Sequence, residues 1–395
     1  MDKVTATQVW PTRGPAARDE LAAWSTATLS DTEPGAVPGF GQPQPPGWTE
    51  LVRGRGMYIR RRPGPRDATP AWYVHGLAGS STNWTRLAAA LSPAATGYSV
   101  DLPGHGRSDP PPRGHYSLQA DAELIAATIE QVSGGPVHLV GNSFGGIIAT
   151  LLAAARPDLV STLTVISPAV PDLRLTGDRG ADPRLGLLLV PGTAGLAYRH
   201  LATISPLSRA RGMGELCFGD PDMLTDADYE LAAEDLAWRS GLPWVFSATI
   251  RSLRALMAGY LRRGRSSFPA AAARVTVPTL VVWGTRDRLV DVRLARRTAE
   301  AFPRAELLIL PGCGHVAQME DPQTTARGVL ALWEGNVADG SGAVGDAVGG
   351  SAAGAVGDAD GGVSGDATDD HATTERAGAG APRRAERGAV ATSWA

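Results

Sequence analysis

Short runs of consecutive apolar residues recur along the middle of the chain, at 71–74, 97–100, 137–140, 163–166, 279–283 and 307–310. They are rich in β-branched and aromatic side chains and nearly free of polar interruptions, the pattern of strands covered on both faces. Between them lie stretches with apolar residues at every third or fourth position, which predicts helices at 118–132, 144–155, 292–301 and 323–333. Strand and helix alternate in this way when successive strands run parallel and each helix carries the chain back across the sheet. The expected fold class is α/β, a mostly parallel central sheet with helices on both faces.

The alternation stops between 169 and 268. Helical periodicity continues there, at 226–240 and 245–261, without strand patterns. This segment is expected to be a helical cap inserted between two parts of the core, 48–168 and 269–334. The ends differ in composition. Residues 34–46 are rich in Pro and Gly, so 1–47 reads as a flexible N-terminal extension. From 335 to 395 the chain is mainly Gly, Ala, Asp, Ser and Thr, with an imperfect twelve-residue repeat at 343–350 and 355–362. Such a stretch cannot bury enough apolar surface to offset its ordering entropy, and a disordered tail is expected.

Of 395 residues, 43% are apolar and 19% charged, enough for a large core. Thirty-seven Lys and Arg against forty Asp and Glu leave a net charge of -3, without the basic excess of a nucleic-acid binder. Two cysteines, Cys217 and Cys313, are too few for a disulfide framework or a cysteine metal site. The apolar run at 185–190 stops at Pro191, far short of the ~20 residues that span a bilayer. The start, Met1, Asp2, Lys3 and Val4, has no secretory apolar core. The reading is a soluble, cytoplasmic protein acting on a small molecule; nothing in the sequence sets its oligomeric state.

Parallel sheets carry their chemistry at the carboxyl ends of strands. Gly141, Asn142, Ser143, Phe144 and Gly145 follow one strand and open a helix, the glycine–x–serine–x–glycine pattern in its confirming context. So abrupt a turn leaves room only for glycine beside it and presents the Ser143 hydroxyl above the sheet. A serine hydroxyl needs a base to accept its proton. His315 is the one histidine late in the chain at a strand end, behind Pro311, Gly312, Cys313 and Gly314. Asp287, just past the strand at 279–283, could orient that imidazole, while Asp291 is better placed to cap the next helix. His75, Gly76, Leu77, Ala78 and Gly79 follow the strand at 71–74, where the N–H groups of Leu77 and Phe144 could hold an oxyanion. His75 and His105 read as structural hydrogen-bonding residues, His138 and Cys313 as packing residues, and Glu320 as an aid to the start of the last helix. Trp238, Trp244, Phe246, Leu253, Leu256 and the run at 185–190 are candidates for an apolar roof. Arg251, Arg254, Arg262, Arg263 and Arg265 read as a solvated helical face.

Over 48–333 these residues resemble the α/β-hydrolase superfamily, in its cap-bearing branch. The landmarks are His75 and Gly76, the turn from Asp101 to Ser108, Gly141 to Gly146, Gly284 to Asp287, and Gly314 with His315. The resemblance implies a Ser143–Asp287–His315 triad and hydrolysis without metal or cofactor. Gly141 to Gly146 also look like the elbow of carbon–carbon bond hydrolases that cleave aromatic ring-fission products. Those commonly carry tryptophan just after the histidine, where this chain has Val316, and their oxyanion loop differs from Leu77 to Ser81. The expectation is therefore a serine hydrolase of small to medium apolar esters. The alternatives are carbon–carbon cleavage, a non-catalytic ligand receptor on the same scaffold, and acyl transfer to another acceptor.

Overall fold

The computed structural model describes residues 20–112, 115–172, 199 and 203–343. Its strands are β1 (Gly47–Val52), β2 (Arg55–Arg62), β3 (Ala71–Val74), β4 (Gly97–Val100), β5 (Val137–Asn142), β6 (Val160–Ile166), β7 (Thr279–Gly284) and β8 (Ala305–Leu310). They form one sheet in the order β1-β2-β4-β3-β5-β6-β7-β8. β1 and β2 pair antiparallel, as do β2 and β4, and all other neighbours are parallel.

The helices are α1 (Thr85–Ala90), α2 (Leu118–Ser133), α3 (Phe144–Ala155), α4 (Pro206–Cys217), α5 (Asp226–Ser240), α6 (Val245–Tyr260), α7 (Phe268–Ala272), α8 (Leu294–Ala299), α9 (Ala317–Glu320) and α10 (Pro322–Ala343). Strand residues alternate between two buried layers. Trp72 and Val74 pack with α2 and α3 residues such as Ile125 and Ile148. Ala71 and Tyr73 pack with α1 and α10 residues such as Leu87 and Trp333. Each face of the sheet is thus closed by helices, as the unbroken apolar strands require.

All six sequence-predicted strands are present. The β1–β2 hairpin was not anticipated. Its two-residue turn is Arg53 and Gly54, with φ 49° and 75°, the left-handed pair that matches strand twist. Arginine in the first of those positions hides the turn, because Asn or Asp is the usual signal there.

The expected start of the ordered domain near 48 is too late. Leu21 and Phe40 are buried. The N–H groups of Thr26 and Ala27 donate to the carbonyl of Leu307 at 2.8 and 3.0 Å. Leu307 and Ile309 N–H donate to the hydroxyls of Thr26 and Ser25, both at 2.9 Å. β8 is an edge strand whose open ladder needs partners, and this irregular segment supplies them. Its Pro- and Gly-rich composition marks the lack of regular structure, not a lack of contacts. At the other end α10 continues to Ala343, past the expected boundary at 334; residues 344–395 lie outside the described residues, as do 1–19.

Between β6 and β7 the described residues form α4, α5, α6 and α7, the helical insertion. Thr225 caps α5 through a reciprocal pair with Asp228, and Ser205 caps α4. The apolar run at 185–190 lies outside the described residues.

Candidate active site

Ser143 is the whole connection between β5 and α3. Its backbone sits at φ 54°, ψ -116°, a conformation that side chains rarely adopt. Four backbone bonds hold it there. Its N–H donates to the Ile166 carbonyl at 3.0 Å, and its carbonyl accepts from Gly146, Ile147 and Ala169 at 3.0, 3.3 and 3.0 Å. A Cβ on Gly145 would collide with the Val74 carbonyl, so glycine here is a packing requirement between helix and strand. As the first residue of α3, Phe144 has an N–H without an intrahelical acceptor.

His315 and Asp287 come together from the ends of β8 and β7. His315 Nδ1 lies 2.9 Å from Asp287 Oδ2 and 3.1 Å from Oδ1, and both side chains are buried. Asp287 Oδ1 also accepts the N–H groups of Leu289 and Val290, each at 2.9 Å. With one carboxylate oxygen on two backbone donors and the other on the ring, neither side chain is free to turn. Asp291 accepts Arg293 N–H at 2.9 Å in the turn that leads into α8, and no side-chain bond caps the helix itself, so the expected capping by Asp291 is not seen.

The loop bearing His315 is held on three sides. His315 N–H donates to the Cys217 carbonyl at 2.7 Å. Asn142 Nδ2 donates to the His315 carbonyl at 3.0 Å. Glu320 accepts from Gly314 N–H at 2.7 Å and Gly219 N–H at 2.8 Å, joining the loop to the end of α4. Glu320 therefore does not serve the last helix as expected; Asp321 does, accepting Thr324 N–H at 3.0 Å. A Cβ at Gly314 would strike the Cys217 carbonyl, so the insertion and this loop touch backbone to backbone.

The loop after β3 lies against the elbow. A Cβ on Gly76 would stand 3.3 Å from Ser143 Cβ. Gly79 N–H closes a turn on the Gly76 carbonyl at 3.1 Å, with Ala78 at φ 61°. Leu77 is the second residue of that turn, where the N–H takes no part in the closing bond. His75 anchors the base of the loop: Nδ1–H donates to the Gly76 carbonyl at 2.7 Å and Nε2 accepts Leu102 N–H at 2.9 Å. Burial lowers His75 to about 4 and His105 to about 3, so both rings stay neutral. His138, also lowered to about 4 by burial, stacks on Trp333 with centroids 4.2 Å apart. Burial pushes the Cys217 thiol up to about 12 and the Cys313 thiol higher still, so neither supplies a thiolate near neutral pH.

An apolar cleft runs between α3 and the insertion, lined by Ile147, Leu151, Ala169, Leu256, Tyr260 and Phe268, with Arg262 also on its wall. Ile147 and Ala169 are two of the three residues bonded to the Ser143 carbonyl. Among the described residues, Leu256 is the one expected roof residue that lines this cleft. Trp238 is 41% exposed and carries the Arg107 guanidinium 4.2 Å above its ring. Arg262, Arg263 and Arg265 are exposed. Among the described residues, no group of three or more His, Cys, Asp or Glu is arranged to hold a metal ion. No helix among them is long and apolar enough to cross a membrane.

The pattern that defines the Alpha/beta hydrolase family matches residues 73–328. The chain belongs to the alpha/beta hydrolase family. Members similar to it differ in their chemistry. A dihydrolipoyllysine-residue acetyltransferase component of the acetoin cleaving system from Pseudomonas putida is 29% identical over 270 residues, 68% of this chain and 64% of the relative. A 2-hydroxy-6-oxononadienedioate/2-hydroxy-6-oxononatrienedioate hydrolase from Cupriavidus pinatubonensis is 27% identical over 261 residues, 65% of this chain and 84% of that one. The human monoacylglycerol lipase ABHD6 is 26% identical over 275 residues, 69% and 77% of the two chains.

Proposed function

We propose that this alpha/beta-hydrolase-family protein is a serine hydrolase that cleaves a small to medium apolar carboxylic ester through an acyl-enzyme. The observation that supports this most is the buried Asp287–His315 pair, tied through Asn142 to the elbow that carries Ser143. With Nδ1–H given to Asp287, His315 keeps Nε2 as a proton acceptor. Nε2 takes the Ser143 proton as Oγ attacks the ester carbonyl. The N–H groups of Leu77 and Phe144 hold the oxyanion, donors worth about 3–4 kcal/mol each in comparable sites. His315 then protonates the departing alcohol. Water, activated by the same ring, frees the acid and restores Ser143.

The relationship to a monoacylglycerol lipase supports an ester. The test is hydrolysis of p-nitrophenyl butyrate by the wild type and by Ser143→Ala. Turnover lost with the fold intact is expected; undiminished turnover would overturn the mechanism. Labelling of Ser143 by a fluorophosphonate separates an enzyme from a non-catalytic receptor on the same scaffold.

A second reading, carbon–carbon bond hydrolysis, is supported by the resemblance of Gly141 to Gly146 and by the relative from Cupriavidus pinatubonensis. It uses the same three residues. A panel of esters of graded length beside one ring-fission dienone distinguishes the two, and Val316 in place of tryptophan favours the ester.

A further inference from the structure

A side chain of the helical insertion reaches the loop after β3. Arg239, in the last turn of α5, donates from Nη1 to the carbonyl of Ala78 at 2.9 Å. Its Nε lies 2.6 Å from Asp235 Oδ2, one helical turn earlier, with the two side chains 7% and 11% exposed. Taking such a pair out of water is costly, and a well-packed apolar pair would often serve stability as well or better. The arrangement is better explained by what the guanidinium touches.

Ala78 is a non-glycine residue held at φ 61°, a conformation that L-residues adopt only when their surroundings hold them there. It follows Leu77 in the turn from Gly76 to Gly79. From the sheet side this segment is pinned by His75 on Gly76 and Leu102, and by Asp101 Oδ1, which accepts Ser81 N–H at 2.5 Å. From the insertion side it is pinned at Ala78 by Arg239. Arginine suits the position because one nitrogen lies against the Asp235 carboxylate as an ion pair, without hydrogen-bond alignment, while another donates to the Ala78 carbonyl; a lysine is a single point and cannot do both.

We propose that Arg239 is a positioning residue for the oxyanion site: oriented by Asp235, it holds the turn that presents Leu77 N–H to the reacting carbonyl, so that docking of the insertion and completion of the site are one event. This rests on the reading of Leu77 as an oxyanion donor. Arg239 does not touch the substrate. It acts on the transition state through the geometry of a neighbour, and its loss falls on kcat rather than KM.

The experiment compares the full-length wild type with Arg239→Ala, Arg239→Lys and Asp235→Asn, using p-nitrophenyl butyrate kinetics and amide hydrogen exchange at residues 77–79. For Arg239→Ala, kcat is expected to fall about 10- to 100-fold, with KM changing less than about threefold. Exchange at 77–79 should accelerate while the sheet strands keep their protection. Arg239→Lys should recover only part of kcat, and millimolar guanidinium should restore part of it in Arg239→Ala. Asp235→Asn, which keeps the guanidinium but loosens its orientation, should lower kcat to a lesser degree; it carries the test if Arg239→Ala does not fold. Unchanged kcat with unchanged exchange would overturn the proposal, as would a raised KM at constant kcat, the signature of a substrate contact. Failure of the hydrolase reading looks different: the wild type itself would neither turn over nor take the fluorophosphonate at Ser143.

Discussion

The side-chain amide of Asn142 donates to the carbonyl of His315 at 3.0 Å, and its second proton goes to the carbonyl of Ile166 at 3.1 Å. One buried amide thereby joins the ends of β5 and β6 to the loop after β8, at the residue just before Ser143. Both of its contacts require a donor, so an isosteric carboxylate would set oxygen against oxygen. Asn142→Asp is expected to destabilise more than Asn142→Ala. The alanine variant takes this donor from the His315 carbonyl, while the Ile166 carbonyl keeps the Ser143 N–H, a loss of about 1–3 kcal/mol. Urea denaturation measures the first effect, and kcat for a p-nitrophenyl ester, expected to fall about tenfold, measures the displacement of His315.

Asp287→Asn tests the orientation of the histidine. The amide can still accept the N–H groups of Leu289 and Val290 through its oxygen, so the fold should survive. Its NH₂ group, turned to His315, would favour the wrong tautomer. Under the proposed mechanism kcat falls on the order of 10³- to 10⁴-fold, and fluorophosphonate labelling of Ser143 slows with it. Full labelling at the wild-type rate would remove Asp287 from the mechanism.

Glu320 binds two loops at once, Gly219 from the insertion and Gly314 beside His315. Burial raises its carboxyl above the usual range, while the backbone donors pull it down. Glu320→Ala should lower both the melting temperature and kcat, because it frees the insertion and the histidine loop together. A thermal shift without any change in kcat would confine Glu320 to stability.

The buried histidines set an acid limit on stability. His75 and His138 titrate at about 4 in the fold and His105 at about 3, against about 6.5 for an unfolded chain. Between those values the unfolded state binds more protons than the folded one, so stability present above pH ~6.5 is lost as the pH falls toward 4. Asp121 acts in the opposite sense. Burial raises its carboxyl to about 7, so the fold keeps a proton that the unfolded chain releases near pH 4, and stability declines as the pH rises from there to 7. Melting temperatures should therefore drop steeply on acidification below pH 6. Asp121→Asn should gain on the wild type as the pH is raised from 5 to 8.

Removing residues 1–31 should uncover the edge of the sheet. Leu307 and Ile309 would lose the partners they have in Ser25, Thr26 and Ala27, leaving an apolar strand with an open ladder. A lower melting temperature and concentration-dependent light scattering are expected. A truncated protein as stable and as monodisperse as the full chain would show that the segment is dispensable.

The residues of the proposed triad could be picked from the sequence because each follows an apolar run that can only be a strand, and because Gly141, Gly145 and Gly314 announce close approach. The β1–β2 hairpin escaped because an arginine occupies the left-handed turn. The segment that includes residues 25–27 escaped because an irregular chain leaves no periodic trace even when it is well packed. Asn142 stood inside the motif without a job, since the partner of its amide, the His315 carbonyl, lies 173 positions away. Arg239 had no local signal either: a basic residue on a helix reads as solvated until its neighbours are known.

Taken alone, the sequence determined the central layer of this protein, since strands apolar on both sides have no stable home except between helices, and it picked out the strand ends that carry Ser143, His315 and Asp287, the residues of the proposed triad. Tertiary structure alone decided how those loops are held. The groups that fix them, the Cys217 carbonyl, the Glu320 carboxylate, the Asn142 amide and the Arg239 guanidinium, meet their partners only when distant segments dock. Hydrogen bonds are short-ranged and directional, so a pattern along the chain can say which groups want partners but not which partners the folded chain will bring.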